Sequence, residues 1–174
     1  MADQKDAPPP RIYVACLASY NAGTLHGAWI DAAREPEAIM ADIQAMLAAS
    51  PEPGAEEWAI HDYEGFGGYG VSDHEDIATV SRLALLIEQH GALFAGVLGH
   101  CGDIDEAERM MEECYQGEWD SVADYAENLT RDSHEIPDFL EYYIDWDRMA
   151  RDMELGGDVF TVESSKGVHV FWNM

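Results

Sequence analysis

Apolar residues along this chain come in short bursts between polar turns, and their spacing alternates between strand-like and helix-like. From Arg11, the run Ile12-Tyr13-Val14-Ala15-Cys16-Leu17 predicts a buried strand reaching Ser19, with a turn at Asn21-Ala22-Gly23. Leu25 to Asp31, carrying Trp29 and Ile30, predicts a second strand, and the alternation from Trp58 to Tyr63 a third. Between them Pro36 suits the first position of a helix, with Ile39, Ile43, Met46 and Leu47 on one face. Ser50-Pro51-Glu52-Pro53-Gly54 ends that helix.

The spacing then lengthens to the helical period. Ser72 and Glu75 have the spacing of a capping box and predict a helix to His90, with Gly91 as its stop. Its apolar positions are Ile77, Val80, Leu83, Ala84 and Ile87. Leu93 to Leu98 is a short apolar segment, helical or extended. Asp103 with Glu106 repeats the capping logic and predicts a helix from Ile104 to near Gly117. A further helix is predicted from Ser121 to Leu129. Another starts at Pro137 and continues through Phe139, Leu140, Tyr143, Ile144, Trp146 and Met149 to about Leu155. Val159–Val162 and Val168–Trp172 predict a hairpin around Ser164-Ser165-Lys166-Gly167.

These blocks describe an α+β chain of three small domains, 11–70, 71–117 and 118–174. A polar, proline-rich segment over 1–10 is expected to be a disordered tail. No internal repeat and no Pro- or Ser-rich linker separates the blocks, so they are expected to abut in one elongated body.

Composition changes the picture through charge. The 174 residues are 47% hydrophobic, with five Trp, eight Tyr and five Phe, enough for a folded core. Against this stand 35 Asp and Glu and only nine Lys and Arg, a formal charge of −26. Such an excess destabilises the compact state by self-repulsion and exceeds what solubility needs, so a function is expected to require the field. Binding to a bare nucleic acid is disfavoured, because Lys and Arg supply that affinity; the partner should be basic. At about one charge per ~1.7 Å of duplex, the excess matches roughly 44 Å of DNA, about 13 base pairs.

The acid is not a detachable tail: residues 101–174 hold 20 acids and 1–100 hold 15. Like charges recur at helical neighbour spacing, as in Glu108/Glu112, Asp120/Asp124, Asp124/Glu127 and Glu141/Asp145, each costing a few tenths of a kcal/mol. Asp105–Arg109 and Asp147–Arg151 are spaced to relieve it locally. The candidate partner-binding stripe comprises Asp103, Asp105, Glu106, Glu108, Glu112, Glu113, Glu118, Asp120, Asp124, Glu127, Asp138, Glu141, Asp145 and Asp147.

Motifs for catalysis or cofactors fail on inspection. Gly65-Phe66-Gly67-Gly68-Tyr69-Gly70 lies among Asp62, Glu64, Asp73 and Glu75 with no following Lys, which suits a turn better than a phosphate loop. Asp103-Ile104-Asp105 begins like a calcium loop, but the sixth and twelfth positions are Glu108 and Cys114. His74-Glu75-Asp76 and His100-Cys101-Gly102-Asp103 lack zinc-site spacing. Cys16, Cys101 and Cys114 form no CxxC, and nothing marks a nucleophile. No cofactor, no metal and no enzymatic activity are expected. No apolar run reaches the roughly 18 residues of a membrane span, so a cytoplasmic location is expected. Trp119, Tyr142, Tyr143 and Trp146 sit among acids, which suits core packing or a protein interface.

The order of residues adds a resemblance. Ile12-Tyr13-Val14-Ala15-Cys16-Leu17-Ala18-Ser19-Tyr20-Asn21-Ala22-Gly23, followed by Leu25-His26-Gly27-Ala28-Trp29-Ile30-Asp31, closely resembles the start of the ArdA family of antirestriction proteins. Asp120-Ser121-Val122-Ala123-Asp124-Tyr125-Ala126-Glu127-Asn128-Leu129 is similar to that family's acidic antirestriction motif. The similarity runs from about Arg11 to Met174 and leaves out the proline-rich leader. It implies an elongated, three-domain homodimer whose surface acids imitate the phosphates of bent duplex DNA. Such proteins occupy the DNA-binding groove of type I restriction–modification enzymes, and plasmids, transposons and phages carry them. The resemblance brings no catalytic residues. Two other readings fit the charge: a salt-adapted acidic domain, or an inhibitor of another basic DNA-binding protein.

Overall fold

The computed structural model describes residues 8–174, and they fall into two compact units, one ending at Ile104 and one running Asp105–Met174. Of the tail expected over 1–10, residues 1–7 lie outside the described residues. Pro10 is buried, and its carbonyl accepts from the Ala32 N–H at 3.0 Å.

In the first unit, β1 (Arg11–Cys16) is the central strand of an antiparallel sheet, between β2 (Gly27–Asp31) and β3 (Trp58–Glu64). Ile12 pairs with Ile30, Cys16 with Trp58, and a bulge lies at Tyr13/Val14. The predicted first strand is too long by three residues. Leu17–Asn21 forms the short helix α1, and Ser19 is buried with its hydroxyl 2.8 Å from that of Ser50. A polar side chain with a distant partner ends the strand before the apolar run does.

α2 (Pro36–Ala48) starts with proline in its first turn and buries Ile39, Ile43, Met46 and Leu47, as its spacing predicts. α3 (Ile77–His90) starts later than expected. Ser72 and Glu75 do bond each other, but as an isolated turn; the helix is capped by Asp76, which accepts from the Thr79 N–H at 3.3 Å. The 93–98 segment lies inside a helix, α4 (Ala92–Cys101), closed by left-handed Gly102. α5 (Ile104–Glu113) begins where predicted but stops four residues short of Gly117.

The reason is a strand absent from the prediction. β4 (Tyr115–Trp119) joins β6 (Val168–Trp172), which also pairs with β5 (Val159–Glu163), in the order β4-β6-β5. Tyr-Gln-Gly-Glu-Trp lacks apolar alternation, and its register breaks between Tyr115 and Glu118, where Gly117 adopts φ +101°. The hairpin is as expected, and Gly167 is required in its turn: a Cβ there would run into the Trp119 carbonyl oxygen.

The remaining elements are α6 (Val122–Ser133), a 3₁₀ helix (Asp138–Tyr143) and α7 (Trp146–Leu155). The single helix predicted from Pro137 to Leu155 is therefore two. Asp145 turns the chain out of helical geometry and caps α7, accepting from the Arg148 N–H at 2.9 Å. Val122, Tyr125, Ala150, Val159 and Val170 form the core between these helices and the sheet. No described helix is long and apolar enough to cross a membrane.

Candidate functional site

Among the described residues no three His, Cys, Asp or Glu gather as a metal site. The glycine-rich segment packs on its own chain: a Cβ at Gly65 would meet the Pro8–Pro10 backbone, and one at Gly67 the Ala95 side chain. All three cysteines are free thiols. Cys16 is fully buried; burial raises its thiol pKa, but hydrogen bonding by Ser50 and Ser19 and the Ala18 backbone outweighs this, and the net shift is downward. Burial, reinforced by Glu113 and opposed by Arg109, pushes the Cys114 thiol up. Neither buried thiol is presented to a substrate.

The acids are presented. Eleven of the fourteen stripe candidates are exposed, and Glu106, Glu108 and Glu127 are half-buried. Helix periodicity places them there. In α5, Ile104, Ala107 and Met110 are buried, which turns Asp105, Glu112 and Glu113 outward. In α6, Val122, Tyr125 and Ala126 are buried, and Asp124 points out. Asp103 belongs to the first unit and the other thirteen to the second.

Several of these carboxylates also hold local structure. Ser121 caps α6: its Oγ accepts from the Asp124 N–H at 3.1 Å and donates to Asp124 Oδ2 at 2.6 Å. Glu118 accepts from the Ser164 hydroxyl at 2.6 Å. Arg131 donates to Glu127 and to Glu141, each at 2.9 Å, joining α6 to the 3₁₀ helix; these bonds hold its guanidinium protonated. Glu112, Glu113, Asp120, Asp138 and Asp147 form no ion pair with any described residue, so the expected Asp147–Arg151 relief is not made. Two arginines of the first unit form surface ion pairs, Arg11 with Glu64 and Arg34 with Asp42.

The family model described as antirestriction protein (ArdA) matches residues 12–167, nearly the whole chain. The chain belongs to the ArdA family of antirestriction proteins. No curated protein matches it. This member of the family presents most of the stripe carboxylates to solvent.

One group of surface residues was legible only in part. Phe139, Leu140, Tyr142 and Tyr143 are exposed; Tyr142 and Tyr143 stand among acids as core or interface candidates, whereas Phe139 and Leu140 were expected only as members of one continuous helix. Of the aromatics noted among acids, Trp119 and Trp146 are half-buried, and Trp119 meets Tyr125 edge-on at 5.5 Å. Proline at 137 and Asp145, read together as two helix starts, were the available signal.

Proposed function

We propose that this ArdA protein is a homodimer that inhibits type I restriction–modification enzymes by occupying their DNA-binding groove, its carboxylates standing in for the phosphates of bent duplex DNA. The observation that carries the proposal is the outward placement of acid in residues 105–174, where nineteen Asp and Glu face five Lys and Arg. A groove built to neutralise phosphates attracts such a surface over a long range and releases counterions on binding it. No bond is made or broken; inhibition is competitive with DNA.

The test is cleavage of unmethylated DNA by a purified type I enzyme, with the protein titrated in at several salt concentrations. Inhibition near stoichiometric amounts, relieved by excess DNA and weakened steeply by salt, is expected. Inhibition that does not change with salt would overturn the electrostatic account. Because the load is spread over many exposed charges, Asp147→Asn alone should weaken binding by no more than about fivefold. Inhibition of a nucleoid-type basic protein but of no type I enzyme would replace this partner with another.

A further inference from the structure

The 3₁₀ helix Asp138–Tyr143 is an unusual surface for so acidic a unit. Phe139 is 72% exposed, Tyr143 83% and Tyr142 96%, three mostly exposed aromatic rings in five residues. Large apolar groups left together on a surface mark an interaction site. From Asp132 to Asp147 the chain carries six carboxylates and no Lys or Arg. In a 3₁₀ helix, side chains three apart eclipse one another. Asp138 and Glu141 therefore share one edge, Phe139 and Tyr142 the next, and Leu140 and Tyr143 the third. The acidic edge is flanked by aromatic edges on both sides.

That arrangement matches the chemistry of Arg and Lys side chains, which bring a cationic head, an apolar stem and, for Arg, a flat stacking face. The protein already shows the mode once. Arg131 donates to Glu141 at the end of this segment while its guanidinium lies 6.0 Å from the Trp146 ring centroid. We propose that Asp138–Tyr143 is an aromatic anchor that holds Arg and Lys side chains of the basic protein partner by cation–π and apolar contact. This rests on the function proposed above and adds to it a contribution that salt does not screen. A second copy of the chain is the poorer occupant. A two-fold interface sets a patch against itself, and here Asp138 and Glu141 would face their own counterparts, with only Arg131 nearby to offset them.

The anchor is tested in the full-length protein by combining Phe139→Ala, Tyr142→Ala and Tyr143→Ala. Affinity for a purified type I enzyme is measured across a salt series, and mass is measured by sedimentation. Because the rings are exposed, thermal unfolding should be little changed. Affinity should fall by about tenfold or more at every salt concentration, with the salt slope unaltered because no charge was removed. Tyr142→Phe with Tyr143→Phe should keep most of the affinity, since ring faces remain. Wild type that inhibits beside a triple variant of equal affinity would overturn the anchor alone. A triple variant that changes from dimer to monomer would reassign the segment to self-association and also overturn it. Wild type that inhibits no type I enzyme would remove the functional reading beneath it.

Discussion

The two units share a plan, a three-stranded antiparallel sheet with helices, but differ in how they balance core against charge. The unit ending at Ile104 buries twenty-two apolar residues among its described ones, including Ile39, Ile43, Leu83, Phe94 and Leu98. Asp105–Met174 buries ten, three of them alanine, yet carries nineteen of the 35 acids. Burial contributes about 1.5–3 kcal/mol for each large apolar side chain, and like-charge neighbours subtract a few tenths each. The smaller core therefore supports the larger repulsion. The second unit carries more charge on less core than the first.

The largest effect should come from removing the second unit's best-buried ring. Phe171 is fully buried and stacks on Phe160 at 4.9 Å. Phe171→Ala should cost about 3–5 kcal/mol and abolish inhibition, while amides of β1–β3 stay protected from hydrogen exchange. Leu83→Ala costs about 2–5 kcal/mol in a core of twice as many residues, and should leave the second unit's protection and its inhibition in place. Equal loss of protection in both units would break the comparison.

Neutralising acids should separate the units next. Glu112→Gln, Glu113→Gln and Asp147→Asn together should weaken inhibition and flatten its salt dependence, while raising stability by a few tenths of a kcal/mol each. The same three-charge change at Glu52, Glu56 and Glu57 should affect inhibition less. An equal loss from both sets would mean that the whole chain's charge, rather than its placement, sets affinity.

Helix caps give a smaller contrast. Ser121→Ala should cost about 1 kcal/mol and increase hydrogen exchange in α6; Asp76→Ala should do the same in α3 without touching inhibition. Smallest is the alkaline limb. Burial raises Tyr125 above the ordinary 10.0, and its hydroxyl is buried without a partner. As pH climbs past about 10 the unfolded chain loses that proton first, so the folded state holds more protons and stability falls. Tyr125→Phe should remove this contribution and one late phenolate from a pH titration, at little cost at neutral pH.

Legibility in the sequence followed the locality of the cause. β1, β2, β3 and the β5–β6 hairpin were readable because alternation and turn residues are local. β4 was not, since Gln116, Gly117 and Glu118 become a strand only by pairing with β6 about fifty residues on. The outward acids were readable because apolar positions such as Ile104, Ala107 and Met110 fix the buried side of the helix. Tyr142 and Tyr143 were legible as interface candidates, but the exposed ring of Phe139 was not. Apolar residues at helical spacing look like core until Asp145 breaks the helix, and only tertiary structure shows the face uncovered.

The strand orders carry a consequence for biogenesis. The first sheet is organised around β1, which leaves the ribosome before its neighbours and can receive each as it is made. The second is organised around β6, which follows α6, the 3₁₀ helix, α7 and β5 in the chain. Its acidic helices and exposed rings lie inside the span that the β4–β6 pairing must close, and such long closures are slow. A partly synthesised chain is thus a first unit able to fold, joined to a second whose sheet is not yet assembled. Synthesis of β6, rather than of the acidic residues themselves, sets the moment at which the second unit can assemble.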